Sequence, residues 1–317
     1  MHKISPCSRD DSAFFCDGIL VPALPSWVYW AKKMKILDLE NWREFPDACG
    51  ELDAEREKIR AKTECFANVS PFLFRGQGNA EWPLADTLER ATGKGRLMGV
   101  LEYYGIILLV KPEIELFASE TLDDIPSYEK YREILQTQIG FPFYGLPAYE
   151  YMVHLRHHGF PSPLLDWTRS PYIALFFAFD EVPSDVDRVA LYAFIEDIGK
   201  GKSGVLNEPT ITTHGAYIKG HRRHFLQQAE YSVCTVKRMH GEYQYAPHEN
   251  GFALSGDQQD VRWKMTLPAS ERDDVLEELG RMNITSYSLF GSQESLMKTI
   301  GRREIRRREI HLKQRDF

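Results

Sequence analysis

The chain has 317 residues, 43% of them hydrophobic, and a formal net charge of −7 at pH 7. That length holds one large domain or two ordinary ones, and that composition can build a sizeable core. The acidic balance gives no support to polyanion binding by the whole molecule, and the longest apolar runs, YIALFFAF and YYGIILLV, fall far short of a membrane span.

At the N terminus, MHKISPCSRDDSAFF lacks the basic-then-apolar order of a secretion signal. Residues 1–35 show no sustained periodicity and carry two prolines in VPALPSW, so they read as an arm. ILDLENWREF and ACGELDAEREKIRAKTE are expected to be helical, with charges on one face and few breakers. Phe72, Leu73 and Phe74 predict a strand that ends at Arg75 and runs into a turn signal, GQGNAEW. VLEYYGIILLV is apolar all round and is expected to be buried, with Pro112 interrupting it or opening the next helix. AYEYMVHLRHHGF reads as a helix stopped by Gly159 and Pro161. In SPYIALFFAFDE, Ser170 suits the N-cap, Pro171 the first helical position, and the apolar body a buried site. DRVALYAFI, YSVCTV and DVRWKMTLP predict strands, and ERDDVLEELGRM a helix. The alternation predicts an α+β domain over about residues 36–302, a mixed or antiparallel sheet with packed helices. A basic tail, 303–317, follows; KTIGRREIRRREIHLKQRDF reads either as a solvated helix or as a contact for nucleic acid.

Five cysteines (Cys7, Cys16, Cys49, Cys65 and Cys234), odd in number and never spaced as CxxC, fit reduced thiols better than a disulfide frame. A cytoplasmic protein without a membrane partner is expected. No GxGxxG follows a strand, and GxxxxGK[ST] and GxSxG do not occur, which argues against Rossmann, P-loop and α/β-hydrolase readings. The sharpest question is Arg75. A strand tolerates a buried charge only when it is paired. Either Arg75 is pinned to Asp166 inside the fold, or it waits for an anion from outside.

Phe74-Arg75-Gly76-Gln77, followed by Trp82-Pro83-Leu84 and Arg90, resembles the name-giving Phe-Arg-Gly motif of the FRG domain family. HHGFPSPLLDWTRSPYIALFFA is similar to the family's second block, and RHFLQQAEY, KMTLP and NITSYSLFGSQESLMKTI to its later segments. The resemblance spans about residues 36–302. Arg156 stands where glutamine is usual, Ser162 for threonine, Pro163 for arginine and Gly291-Ser292 for a Pro-Asp pair. The lost arginine at 163 removes a ligand contact that the family pattern would place there.

The order Arg75-Gly76, then Asp166-Trp167-Thr168-Arg169-Ser170, then Gln293-Glu294 looks like the arginine–serine/threonine–glutamate arrangement of ADP-ribosyltransferases. That second resemblance implies an ADP-ribosyltransferase-like core with NAD as substrate. Its binding residues would be Arg75, Gly76, Gln77, Asp166, Trp167, Thr168, Ser170 and Gln227, and its catalytic residues Glu294, Arg75 and His157. Arg75 would hold the pyrophosphate or ribose as a fork of donors, and Gly76 would let the cofactor approach the backbone. Glu294 would stabilise an oxocarbenium-like state. Plainer roles stand beside these. Asp166 orients Arg75 or caps a loop, Thr168 and Ser170 cap the next helix, and Glu294 is an exposed first-turn residue favoured by the helix dipole. Gln227, His157 and Trp167 have core roles as alternatives. His154, His157 and His158 lie at i, i+3 and i+4 and, with Asp166, form a rival zinc or manganese set for phosphoester hydrolysis. The expected function is transfer of ADP-ribose to an unidentified acceptor, nucleic acid among the candidates, in a bacterial defence or toxin effector. A non-catalytic sensor of a nucleotide or phosphorylated ligand, and a metal-dependent phosphodiesterase, are the alternatives.

Overall fold

The computed structural model describes residues 13–16, 19–22, 34–63, 69–93, 97–118, 124–137, 145–199, 206–215, 222–239, 241–254 and 260–313. The chain forms two compact units, Met1–Met34 and Lys35–Phe317. In the first, β1 (Ala13–Cys16) and β2 (Ile19–Pro22) pair antiparallel with Cys16 opposite Ile19. The connecting pair in the sequence is Asp-Gly, a strong two-residue hairpin signal that the lack of periodicity around it concealed.

The second unit runs β3 (Lys35–Asp38), α1 (Phe45–Ala61), β4 (Leu73–Gln77), α2 (Thr87–Thr92), α3 (Val100–Ala118), α4 (Tyr128–Thr137), α5 (Tyr149–His157) and β5 (Leu165–Thr168). It continues through α6 (Pro171–Asp180), β6 (Arg188–Ile195), β7 (Pro209–His214), α7 (Arg222–Gln227), β8 (Ala229–Lys237), β9 (Tyr243–Tyr245) and α8 (His248–Leu254). The last elements are β10 (Val261–Pro268), α9 (Arg272–Arg281), α10 (Ser286–Phe290) and α11 (Gln293–Lys313). Among the described residues, eight strands make one mixed sheet in the order β3-β10-β6-β4-β5-β8-β7, with β9 added on β8. β3 joins β10 in parallel; the other neighbours are antiparallel. The fold is α+β.

Strand periodicity sorts the core. Val189, Leu191 and Ala193 of β6 face Leu267, Met265 and Trp263 of β10 in register, and helices α1, α6 and α9 pack on that face. A second cluster gathers α3, α4 and α5 around β8 and β9 through Tyr103, Tyr104, Tyr131, Met152 and Tyr231. The sheet centre, where β4 meets β5, lies between the two clusters. Helix α6 begins as its sequence predicts: Ser170 accepts from the Ile173 N–H at 3.3 Å and Pro171 takes the first turn. Ile173, Leu175, Phe176 and Phe179 are then fully buried, about 1.5–3 kcal/mol each.

Three local expectations change. ILDLENWREF is not a helix: Lys35–Asp38 is an edge strand, with Leu37 and Leu39 turned inward two residues apart, and a short 3-10 turn precedes α1. Helix α3 runs through Pro112 and buries only one side, Tyr103, Tyr104 and Ile107, leaving Leu109, Leu116 and Phe117 exposed. Strand β4 does not stop at Arg75 but continues to Gln77. Among the described residues, no helix is long and apolar enough to cross a membrane, and Cys49 carries a free thiol.

Candidate functional site

β4 and β5 share a single register pair, Phe74 opposite Thr168. From there β4 stays with β6 on one side and β5 with β8 on the other, so the sheet parts along its middle. A parted strand edge leaves backbone groups that need partners. Arg75 supplies one: its Nη1 donates to the Asp166 carbonyl at 2.8 Å and lies 3.6 Å from the Asp166 carboxylate. Here Arg75 acts as both structural bridge and cavity wall.

The cavity opened by this parting has a volume of about 670 Å³. Its polar lining includes Arg75, Gln77, Arg156, His157, Asp166 and Tyr231, and Trp82, Phe177 and Phe290 add aromatic surface. Arg156, from the last turn of α5, also donates to Asp166 Oδ2. Burial alone would raise the Asp166 carboxyl, but Arg156 first and Arg75 second outweigh it and hold the group below the ordinary carboxylate range. The same burial pushes Arg75 down, with Asp166 only partly offsetting it. His157 Nε2 lies 3.0 Å from the Tyr231 hydroxyl and 3.2 Å from His224 Nε2. Gln77 donates to the Pro83 carbonyl at 3.2 Å, while its buried Oε1 has no partner.

Trp167 is fixed from behind. Its indole N–H donates to Ser232 Oγ at 2.8 Å, and the same hydroxyl lies 3.0 Å from His248 Nε2. His248 Nδ1 lies 3.7 Å from Asp86 Oδ2. Burial pushes His248 down to about 3 and Asp86 up to about 6. Glu89, beside them, is raised to about 7 by burial and by the Asp86 charge.

Residues 70–186 match the family model of the FRG domain. Over that span the chain is similar to the FRG domain. Searches of curated proteins and of solved structures return no match. The matched span runs from the approach to β4 past the end of α6, and so supplies Arg75, Arg156, His157 and Asp166 to the cavity. Residues beyond it, Arg223, Gln227, Tyr231 and Phe290, complete the wall.

Of the residues singled out in the sequence, Arg75, Gly76, Gln77, His157, Asp166, Trp167, Thr168 and Gln227 line the cavity together. The slot beside Gly76 is filled by α6, not left open for a cofactor: a Cβ there would stand 2.0 Å from the Ala174 carbonyl oxygen. Thr168 donates to the Gln227 carbonyl at 2.6 Å, and Gln227 Nε2 to the Leu289 carbonyl at 3.2 Å. Ser170 caps α6 and is not among the lining residues. Glu294 is exposed in the first turn of α11, also outside the lining. Its carboxylate is lowered by its own backbone N–H, then by Ser292, and also by Arg223 of the cavity wall. The three histidines do not converge. The rings of His154 and His158 lie 4.6 Å apart, tilted by 43°, while His157 turns to His224 and Tyr231. Among the described residues, no group of three His, Cys, Asp or Glu is placed to hold a metal.

Sequence reading gave no site role to Arg156, Arg223 or Tyr231. Two of them had a signal. Arg223 precedes Gln227 by one helical turn, and Tyr231 follows Ala229 by one strand period, so each shares a face with a cavity residue.

Proposed function

We propose that the cavity binds NAD and that the chain transfers ADP-ribose from it to an acceptor. The observation that carries this reading is the pair of guanidiniums, Arg75 and Arg156, buried at the parted strands beside exposed Trp82 and the rings of Phe177 and Phe290. Guanidinium forks suit a pyrophosphate, and flat apolar walls suit a nucleobase or nicotinamide. The volume falls within the range of cofactor pockets, roughly 300–1,000 Å³. In this reading Asp166 orients the two arginines, and His157 with Tyr231 presents hydrogen-bonding groups to the ribose. Glu294 is the acid assigned to the oxocarbenium-like state, working from the Arg223 side.

Titration calorimetry with NAD, followed by assay of nicotinamide release, tests the proposal. Glu294→Gln is expected to keep NAD affinity and lose about two to three powers of ten in turnover. Near-full activity in that variant would remove the carboxylate assignment. A second reading, a nucleotide sensor without chemistry, is favoured by one observation: the innermost carboxylate, Asp166, is engaged by both arginines. Binding without nicotinamide release would select it. A nucleic-acid acceptor, the cytoplasm and a defence or toxin setting belong to the transferase proposal. Incubating the chain with labelled NAD and RNA or DNA would register such an acceptor as labelled polymer.

A further inference from the structure

We propose that Arg75 and Arg156 form a clamp for a terminal phosphate, so that the preferred ligand of the cavity is a dinucleotide carrying a phosphomonoester. This rests on the nucleotide reading above and adds which nucleotide.

Charge is the first argument. Four arginines line the cavity, Arg75, Arg90, Arg156 and Arg223, against the carboxylates of Asp166 and Glu181. Glu181 is already matched by Lys298 at 3.0 Å. Arg90 bonds the Ala85 carbonyl at 2.8 Å, and Arg223 bonds the Phe290 carbonyl at 3.3 Å and lies over that ring. Those acceptors are neutral and cancel no charge. Beyond the lining, Glu294 acts on Arg223, and Asp86 and Glu89 act on Arg90; among the lining carboxylates Asp166 is the one set against Arg75 and Arg156, two guanidiniums to one acid. NAD brings little net negative charge, because its positive nicotinamide ring offsets one phosphate. A phosphomonoester adds about −1.5 to −2 near neutral pH, along with strong acceptor oxygens.

Geometry is the second. Arg75 spends Nη1 on Asp166, and its buried Nε has no partner. That Nη1 bond is to the Asp166 backbone carbonyl, with the carboxylate 3.6 Å away, whereas Arg156 spends Nη2 on the carboxylate itself, and its Nε is likewise buried without a partner. The two side chains are only 15% and 17% exposed, so water does little to satisfy them. Asp166, holding Arg75 through its backbone carbonyl and Arg156 through its carboxylate, fixes both forks before any ligand arrives, with unsatisfied guanidinium N–H groups beside it. Preorganised, desolvated guanidiniums are strong sites for a phosphate dianion.

The test uses the full chain and three probes at low salt: NAD, its 2′-phosphorylated form and inorganic phosphate. The 2′-phosphorylated dinucleotide is expected to bind about 10- to 100-fold tighter than NAD, the span of one or two charge-assisted hydrogen bonds. Arg156→Gln should bring that preference to within about threefold, and Arg156→Lys, which keeps the charge but not the fork, should leave an intermediate value. Thermal melts establish that each variant is folded. Equal binding of the two dinucleotides by the wild-type chain, or equal loss of both in Arg156→Gln, overturns the clamp while leaving the NAD proposal standing. Arg156-dependent binding of inorganic phosphate with neither dinucleotide bound upholds the clamp and removes the dinucleotide reading. No binding of any probe overturns both.

Discussion

At Gly76 the missing side chain makes room for a helix. A Cβ would meet the backbone of α6 at 2.0 Å and 2.5 Å, distances that rotation of a side chain cannot relieve. Gly76→Ala is therefore expected to destabilise the domain by about 1–3 kcal/mol or more, read as a drop of roughly 2–4 °C in Tm per kcal/mol. An unchanged melting curve would mean that α6 does not lie on β4 in this way. Asp166→Asn removes the shared anion between two arginines. Because Asp166 is 37% exposed, the expected loss is about 1–3 kcal/mol, less than the roughly 3–5 kcal/mol of a fully buried broken pair. The pairing of Asp166 with Arg75 was one of the roles legible in the sequence, whereas Gly76 was legible as an important position but not in its role. The α6 backbone that fills the slot beside Gly76 comes from about a hundred residues later in the chain. Nothing local to Phe74-Arg75-Gly76 announces it.

Elements with strong periodicity or clear caps were readable. Ser170-Pro171 marks the start of α6, and the continuous apolar run of β6 and the alternation of β10 mark buried strands. ILDLENWREF misleads because a short apolar run fits either period, and parallel pairing to β10 decides it. The apolar run of α3 hid its exposed side for a related reason: an all-apolar helix does not say which face meets the core. Pro112 is exposed within that helix, where proline removes a backbone donor. Pro112→Ala should therefore raise stability by about 1–3 kcal/mol in chemical denaturation. A loss instead would show that the proline shapes a bend the packing needs. Helix α11 gives the basic tail a partly structural explanation. Lys298 and Arg302 bond Asp180 at the end of α6, at 2.8 and 2.9 Å, and Arg306 reaches Asp274 at 2.9 Å.

On the scale of the whole molecule, two acids and two histidines shifted by burial set the response to pH. Asp86 and Glu89 have folded pKa values of about 6 and about 7, above their unfolded values. Their contribution to stability is complete below the ordinary carboxylate range and is lost as pH rises through those values. His248 and His214, pushed by burial down to about 3 and about 4, act oppositely: their contribution is complete above the ordinary imidazole pKa and is lost as pH falls. Asp86→Asn keeps the cap on α2 but removes one titration. The stability of that variant relative to wild type should rise between about pH 4 and about pH 7, and a constant difference in urea titrations across that span would refute the assignment.

The single backbone pair between β4 and β5 has a mechanical consequence. Two half-sheets joined at Phe74 and Thr168, with Arg75 reaching across, share a hinge line through the middle of the fold. Whatever fills the cavity acts as a rivet across that line. Amide exchange at Trp167 and Thr168 should then slow when the pocket is occupied, linking occupancy to the rigidity of the entire sheet.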